Sequence, residues 1–509
     1  TNPKAGPFAT APIAARGDRP TLSGLGGATV AAGSSINQMV QHPPLYYELA
    51  AVVLRLPGVS HLAWDQQFWL VRLLSVLLML PLPLLCFGAG RRLARRMLPG
   101  PVEPEPNLPM AEPSVSELAE GGSRSPAPAS PPPTPTLASR FSGRQNAIGL
   151  IAAAIPLTVP NLIRDGSAVT NDSLLISATS VFLYFLVRIC LGEVSRKMVA
   201  GASLAVTIAL LTKGFALVLP PVLLIGILIG LRQARAHDPA PAAGRSRREL
   251  AEIWAIFLGC MIVGGLWWLR NLIKFKTVQV NGFGPGATQN RYGSPDNKGS
   301  FLKFFPDFFN QVVERFWGGF ALPDYPLGSP FTIWGWPVLL CTGIAVALTV
   351  RRHRNVSLLL LLGVLLTFGV LVQNSWSLYS THSKIGVQAA QGRYLYHLMV
   401  ALAALAAVGW AAVLRPRVTN VLAHLVLLLG ILTNASAWFM ILDTWYSGGP
   451  VGLPTKLRNG VHGVLRWSPV PKPVTAAIFL VVAITAVLGW LQVRRYCRSL
   501  PANEAAVVR

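Results

Sequence analysis

Ionisable and amide side chains recur at the margins of the apolar stretches of this chain, and their types suit the handling of an anion. His42 stands in Gln41-His42-Pro43-Pro44-Leu45-Tyr46-Tyr47, ahead of a short apolar piece. Arg72 lies in the first turn of a long apolar run, Asn171-Asp172 opens another after Arg164-Asp165, and Lys213 stands between two more. Arg270-Asn271 closes a run just after Trp267-Trp268, and Gln391-Gly392-Arg393-Tyr394 begins one. Charges at membrane depth are costly and are retained for pathways or sites. Cations gathered with an acid at one depth suit a negatively charged lipid headgroup that carries a reacting sugar.

A plainer role is open to each residue. His42 could cap a helix, Asp172 could be the N-cap of its own, and Lys213 could snorkel to headgroups. Arg270 beside two tryptophans, Arg393 with Tyr394, and the pair Tyr46-Tyr47 suit ordinary anchoring in the aromatic belt.

The elements that must position these residues follow from hydropathy. Of 509 residues, 52% are hydrophobic and only 13% charged, and apolar runs of membrane length recur. This predicts an all-α, polytopic transmembrane helical bundle of about eleven spans. Predicted spans cover 69–90, 145–162, 168–191, 198–212, 215–231, 251–271, 331–350, 356–373, 394–414, 418–442 and 473–493. Residues 1–68 read as an extracytoplasmic loop in which 45–56 is an interface helix. Residues 97–140, with Pro131-Pro132-Pro133, read as a disordered cytoplasmic insertion. Residues 141–498 hold the remaining bundle, including an ordered outer loop at 273–330, and 499–509 form a cytoplasmic tail.

The net charge of +24 points away from nucleic acid, because the arginines fall in short clusters between spans. That is the positive-inside pattern. Alternation through eleven spans puts Arg91, Arg92, Arg95 and Arg96, the 232–250 cluster, Arg351-Arg352-His353-Arg354, Arg415 with Arg417, and Arg494, Arg495 and Arg498 on one side. The polar residues of the first paragraph then share the other side. The five cysteines fall in spans or at cytoplasmic ends and imply no disulfide framework. No P-loop, zinc-type cluster or Ser-His-Asp signature is present. A secondary transporter is the alternative class, but it calls for two repeated halves and polar groups near mid-bilayer. No repeat is evident.

Taken in order, His42-Pro43-Pro44-Leu45-Tyr46-Tyr47, Val71-Arg72-Leu73-Leu74, Thr170-Asn171-Asp172-Ser173, Thr212-Lys213-Gly214, Trp268-Leu269-Arg270-Asn271, Arg315-Phe316-Trp317-Gly318 and Gln391-Gly392-Arg393-Tyr394-Leu395 resemble the GT-C superfamily of membrane glycosyltransferases. The likeness is to the protein O-mannosyltransferase and aminoarabinose transferase group, and to related predicted bacterial membrane proteins. The resemblance implies a sugar transferred from a polyprenyl-phosphate donor to an acceptor glycan, lipid or protein, at the outer face of the bacterial cytoplasmic membrane. It implies inversion at the anomeric carbon, with an acid from the first outer loop as general base. His42, Tyr46, Arg72, Asn171, Lys213, Arg270, Asn271, Gln391, Arg393 and Tyr394 become candidate donor contacts. Asp172 becomes a candidate catalytic or donor-orienting residue. A divalent cation is a candidate cofactor, with His42 and Asp172 as candidate ligands.

One departure stands out. The loop before His42 offers only Asp18, in Ala-Arg-Gly-Asp-Arg-Pro, which does not match the acidic motif. The general base is therefore expected upstream of Thr1, and residues 1–509 alone are expected to lack transferase activity. A polyprenyl-lipid-binding protein without catalysis is the remaining alternative.

Overall fold

A computed structural model describes residues 13–25, 42–97, 137–237, 246–279, 294–318, 339–348, 354–446 and 452–505. Among these residues the chain is helical and forms no strand. The helices are α1 (Leu45–Leu54), α2 (Trp64–Met79), α3 (Leu82–Met97), α4 (Leu137–Ala154), α5 (Pro160–Gly166), α6 (Asn171–Cys190), α7 (Arg196–Leu210) and α8 (Leu219–His237). There follow α9 (Arg247–Phe275), α10 (Phe301–Trp317), α11 (Leu339–Leu348), α12 (Arg354–Thr381), α13 (Met399–Val413), α14 (Pro416–Ile441), α15 (Leu453–Trp467) and α16 (Lys472–Ala505).

Every predicted span is helical where it is described, but the eleven are not equivalent. Eight helices are long and apolar enough to cross a membrane, and a ninth arises if one bent pair counts as a single span. That pair is Gly143–Thr158 with Pro160–Gly166, bent by 74°. Pro160 sits in the first turn of α5, where its missing N–H costs nothing and its ring redirects the chain. The predicted span 198–212 is α7, whose 15 residues reach only about 22 Å at 1.5 Å per residue. Of the predicted span 331–350, only the short α11 is described. Residues 98–136 of the predicted insertion lie outside the described residues, and α4 begins inside its boundary, at Leu137. The outer loop at 273–330 is shorter than expected, because α9 runs on to Phe275 and 301–317 is helical.

The core lies around α6 and α13. α6 buries residues on all sides, and α13 is a run of buried alanine, valine and leucine. Small residues allow close approach. A Cβ on Gly230 would run into the Ile189 carbonyl, so α8 lies directly on α6. α16 is mostly exposed and lies at the periphery.

At one end of the bundle the segment 13–25 is tied to the turn between α15 and α16. Arg16 donates to the carbonyls of Leu465 and Ser468 at 2.5 and 3.0 Å. Arg19 is buried, pairs with Asp65, and donates to the carbonyls of Ser468 and Arg466 at 3.3 and 3.1 Å. Asp18, between them, is exposed.

Candidate functional site

The start of α6 builds the site. Thr170, not Asp172, caps this helix, its hydroxyl accepting the Asp172 N–H at 3.3 Å. With the cap supplied by Thr170, the Asp172 carboxylate is free to leave the helix end. It meets Lys213, whose Nζ lies 2.5 Å from Oδ1, and both side chains are buried. Lys213 is therefore not a snorkelling tip residue. It stands between α7 and α8, ahead of a 3-10 turn at Gly214–Val218. Asn171 fixes the partners by donating Nδ2 to the Thr212 carbonyl at 3.3 Å.

Residues 392–398 bring the second cation. Ala389 adopts φ +60°, a strained region for a residue with a side chain, and turns the backbone so that Arg393 faces α5. Arg393 Nη1 is 4.0 Å from Asp165, whose other partner, Arg164, lies at 2.9 Å. Tyr394 completes the enclosure. Lys213 Nζ lies 5.1 Å from its ring centroid and Arg393 5.5 Å, while Phe215 stacks against it at 4.7 Å. Such cation–π contacts stabilise a desolvated cation by roughly 2 kcal/mol. Three cations thus face two carboxylates in one enclosed cluster.

His42 also adjoins the cluster. Its imidazole is held down at about 4, chiefly by burial and next by the Lys213 ammonium, with Asp172 pulling the other way. It is therefore neutral near pH 7. The unfolded chain takes up this proton near 6.5, but the folded chain does so only near 4. Between those values the unfolded state binds more protons, so stability rises with pH. The melting temperature is expected to climb from pH 4 to 6.5, and the climb to be shallower in His42→Gln. Equal slopes for the two proteins would refute the assignment.

Other candidates stand elsewhere. Tyr46 is fully buried with its hydroxyl 2.9 Å from Ser75 Oγ, so it bolts α1 to α2. Its neighbour Tyr47 is the one that feels Asp172; burial first, then Asp172, raises its phenol above the usual range. Arg72 is exposed and donates to the Ser167 carbonyl at 2.9 Å, bracing the turn into α6 from outside. Arg270 is exposed, and its described partners, Trp267, Asn271 and Phe275, all belong to its own helix. Asn271 is buried and donates to the Val278 carbonyl at 3.3 Å. Gln391 acts through its backbone, bonding Ala389 and Tyr394 at 2.8 and 3.1 Å.

Two residues escaped notice as site members. Asp165 is buried, and its Oδ2 has no partner among the described residues. His397 is 1% exposed, with its ring 6.0 Å from that of Phe215 and within electrostatic range of Asp172 and Lys213. A charged residue within Pro160–Gly166 and a lone histidine four residues after Arg393 were the available signals.

Among the described residues no group of three or more His, Cys, Asp or Glu could hold a metal ion. The Asp172 carboxylate is already engaged by an ammonium.

Residues 138–243 match the family model described as dolichyl-phosphate-mannose-protein mannosyltransferase. The matched stretch contains Asp165, Asn171, Asp172 and Lys213, so the likeness to the protein mannosyltransferase group holds over the heart of the cluster. Among solved structures, the chain is similar to ArnT from Cupriavidus metallidurans bound to undecaprenyl phosphate. The sequence identity is 16%, the match covers 91% of this chain and 68% of that one, and the TM-score is 0.39. No curated protein matches the chain.

Proposed function

We propose that this chain functions as an integral membrane glycosyltransferase that takes a sugar from a polyprenyl-phosphate donor, with its active face outside the cytoplasm. The observation that carries this reading is the enclosed cluster of Asp172, Lys213 and Arg393, with the first two inside the family match. The arginine-rich helix ends at the opposite face support the orientation.

In this reading the anionic headgroup enters among Lys213, Arg393 and Tyr394. Lys213 supplies a compact charge and Arg393 a planar fork that matches two phosphate oxygens. When the glycosidic bond breaks, negative charge accumulates on the departing phosphate, and preorganised cations in a dry site stabilise it without reorganisation. Asp172 holds Lys213 in place before the donor arrives. Neutral His42 can accept or donate a hydrogen bond beside that pair. The acceptor would attack the anomeric carbon from the face opposite the phosphate and invert its configuration.

Neither carboxylate of the cluster is free of a cation. Asp172 is held by Lys213, and Asp165 lies between Arg164 and Arg393. This favours either a base supplied from elsewhere or, as the second reading, a protein that binds the polyprenyl lipid without catalysis.

Arg393 separates these readings from a purely structural role. Arg393→Ala is expected to weaken binding of a polyprenyl-phosphate roughly tenfold or more, the loss of one charge-assisted contact of about 1.5–3 kcal/mol. Arg393→Lys should recover only part of it. Unchanged affinity in Arg393→Ala would remove the donor site from this cluster. Release of free sugar-acceptor product by the full protein, measured with the same donor, distinguishes the enzyme from the lipid binder.

A further inference from the structure

A second polar cluster lies at the far end of the bundle. α13 begins just beyond Arg393 and ends at Val413, so α14 starts about 22 Å away by helical rise. There the ends of α4, α14 and α16 converge. Asn146 of α4 donates Nδ2 to the Tyr496 hydroxyl of α16 at 2.9 Å. His424 of α14 is within electrostatic range of Arg494 and Arg498 of α16.

Two features set this corner apart. The first is a concentration of arginines with no acid in the neighbouring helix ends. Elsewhere on arginine-rich helix ends, Arg92 and Arg188 pair with Glu193, and Arg196 and Arg248 pair with Glu252. Arg415, Arg417, Arg494, Arg495 and Arg498 have no ion pair among the described residues, and no acid occurs in 143–150, 415–425 or 487–498. The second is buried polarity without partners. Asn420 is only 7% exposed, yet its Oδ1 has no hydrogen bond among the described residues; the same holds for Asn146 Oδ1 and Trp490 Nε1. Asn420 lies one turn before His424 on α14, a helix packed against both α4 and α16. A buried amide oxygen with nothing to accept is costly, so it suits a donor from beyond the described residues.

We infer that this notch binds the headgroup of an anionic phospholipid that carries a free hydroxyl. The arginines and the Trp490 N–H suit phosphate oxygens, and the two amide oxygens suit hydroxyl hydrogens. Basic pockets between helices at this level of a bundle recognise anionic headgroups. The flanks are exposed and apolar, through Val418, Val421 and Leu425 on α14 and Val487 and Leu488 on α16. Acyl chains can lie there, which selects a lipid over a soluble phosphate.

The test uses the whole chain in neutral detergent, titrated with dioctanoyl phosphatidylglycerol, phosphatidylmethanol (anionic, without the hydroxyl) and phosphatidylcholine. Phosphatidylglycerol is expected to bind saturably and more tightly than either, with no competition from soluble glycerol phosphate. Arg494→Gln with Arg498→Gln should weaken it roughly tenfold. Arg498 is exposed and Arg494 half-buried over the Trp490 ring, and glutamine keeps most of the side-chain length, so folding should survive. Asn420→Ala should abolish the preference over phosphatidylmethanol. Equal binding of phosphatidylcholine, or an unchanged affinity in the arginine variant, would overturn the inference. So would full competition by glycerol phosphate or a preference that survives Asn420→Ala.

Discussion

Lys213→Met is expected to destabilise the folded chain by about 3–5 kcal/mol, because it strands the Asp172 carboxylate in a buried site. The cost is that of an unpaired charge rather than of the lost attraction. Lys213→Met combined with Asp172→Asn should therefore recover most of the stability, since both charges are removed together. Polyprenyl-phosphate binding should not recover, because the ammonium that meets the phosphate is still absent. Thermal unfolding in neutral detergent and a donor titration read the two effects separately. A single variant as stable as the parent would show that the pair is solvated, and a double variant that binds donor normally would remove Lys213 from the site.

Gly392→Ala carries the next largest effect. An added Cβ would run into the Val312 carbonyl and the Phe316 backbone, and no flexible side chain can yield. The close approach is pinned on both sides: Arg315 donates to the Ala390 carbonyl at 3.1 Å, and the Tyr396 hydroxyl to the Phe316 carbonyl at 2.6 Å. The extra methyl must push α10 away from 391–396 and carry Arg393 with it. Overpacking of this kind costs about 1–3 kcal/mol, or more where backbone is struck. The expected signature is new protease cleavage near α10 together with weaker donor binding. Normal binding with an intact α10 would mean that this contact does not set the position of Arg393.

The fold was legible because hydropathy and arginine placement report on membrane crossing directly, and every predicted span is helical where described. Length was read less well at 198–212, where apolar composition does not reveal that α7 spans too little. At the site, the motifs around Asp172, Lys213 and Arg393 stood out as charges beside apolar runs. That Asp172 and Lys213 meet was not legible, since 41 residues and two helices separate them. Arg270 lies on the exposed side of α9, for a reason the sequence could have supplied. Gly264, Trp268 and Asn271 follow one buried stripe at helical spacing, and Arg270 falls off it. Tyr46 and Tyr47 show the opposite limit. Both suit a membrane interface, and only the packing of α1 on α2 decides that Tyr46 is a bolt while Tyr47 faces Asp172.

The tie from Arg16 and Arg19 to residues 465–468 also governs biogenesis. Its acceptors leave the ribosome more than four hundred residues after its donors. The early segment must wait, unlatched, through the insertion of every intervening helix, and translation that stops before α15 leaves it with nothing to grip. Latching thus serves as a checkpoint that can be passed only after the chain has been made through α15.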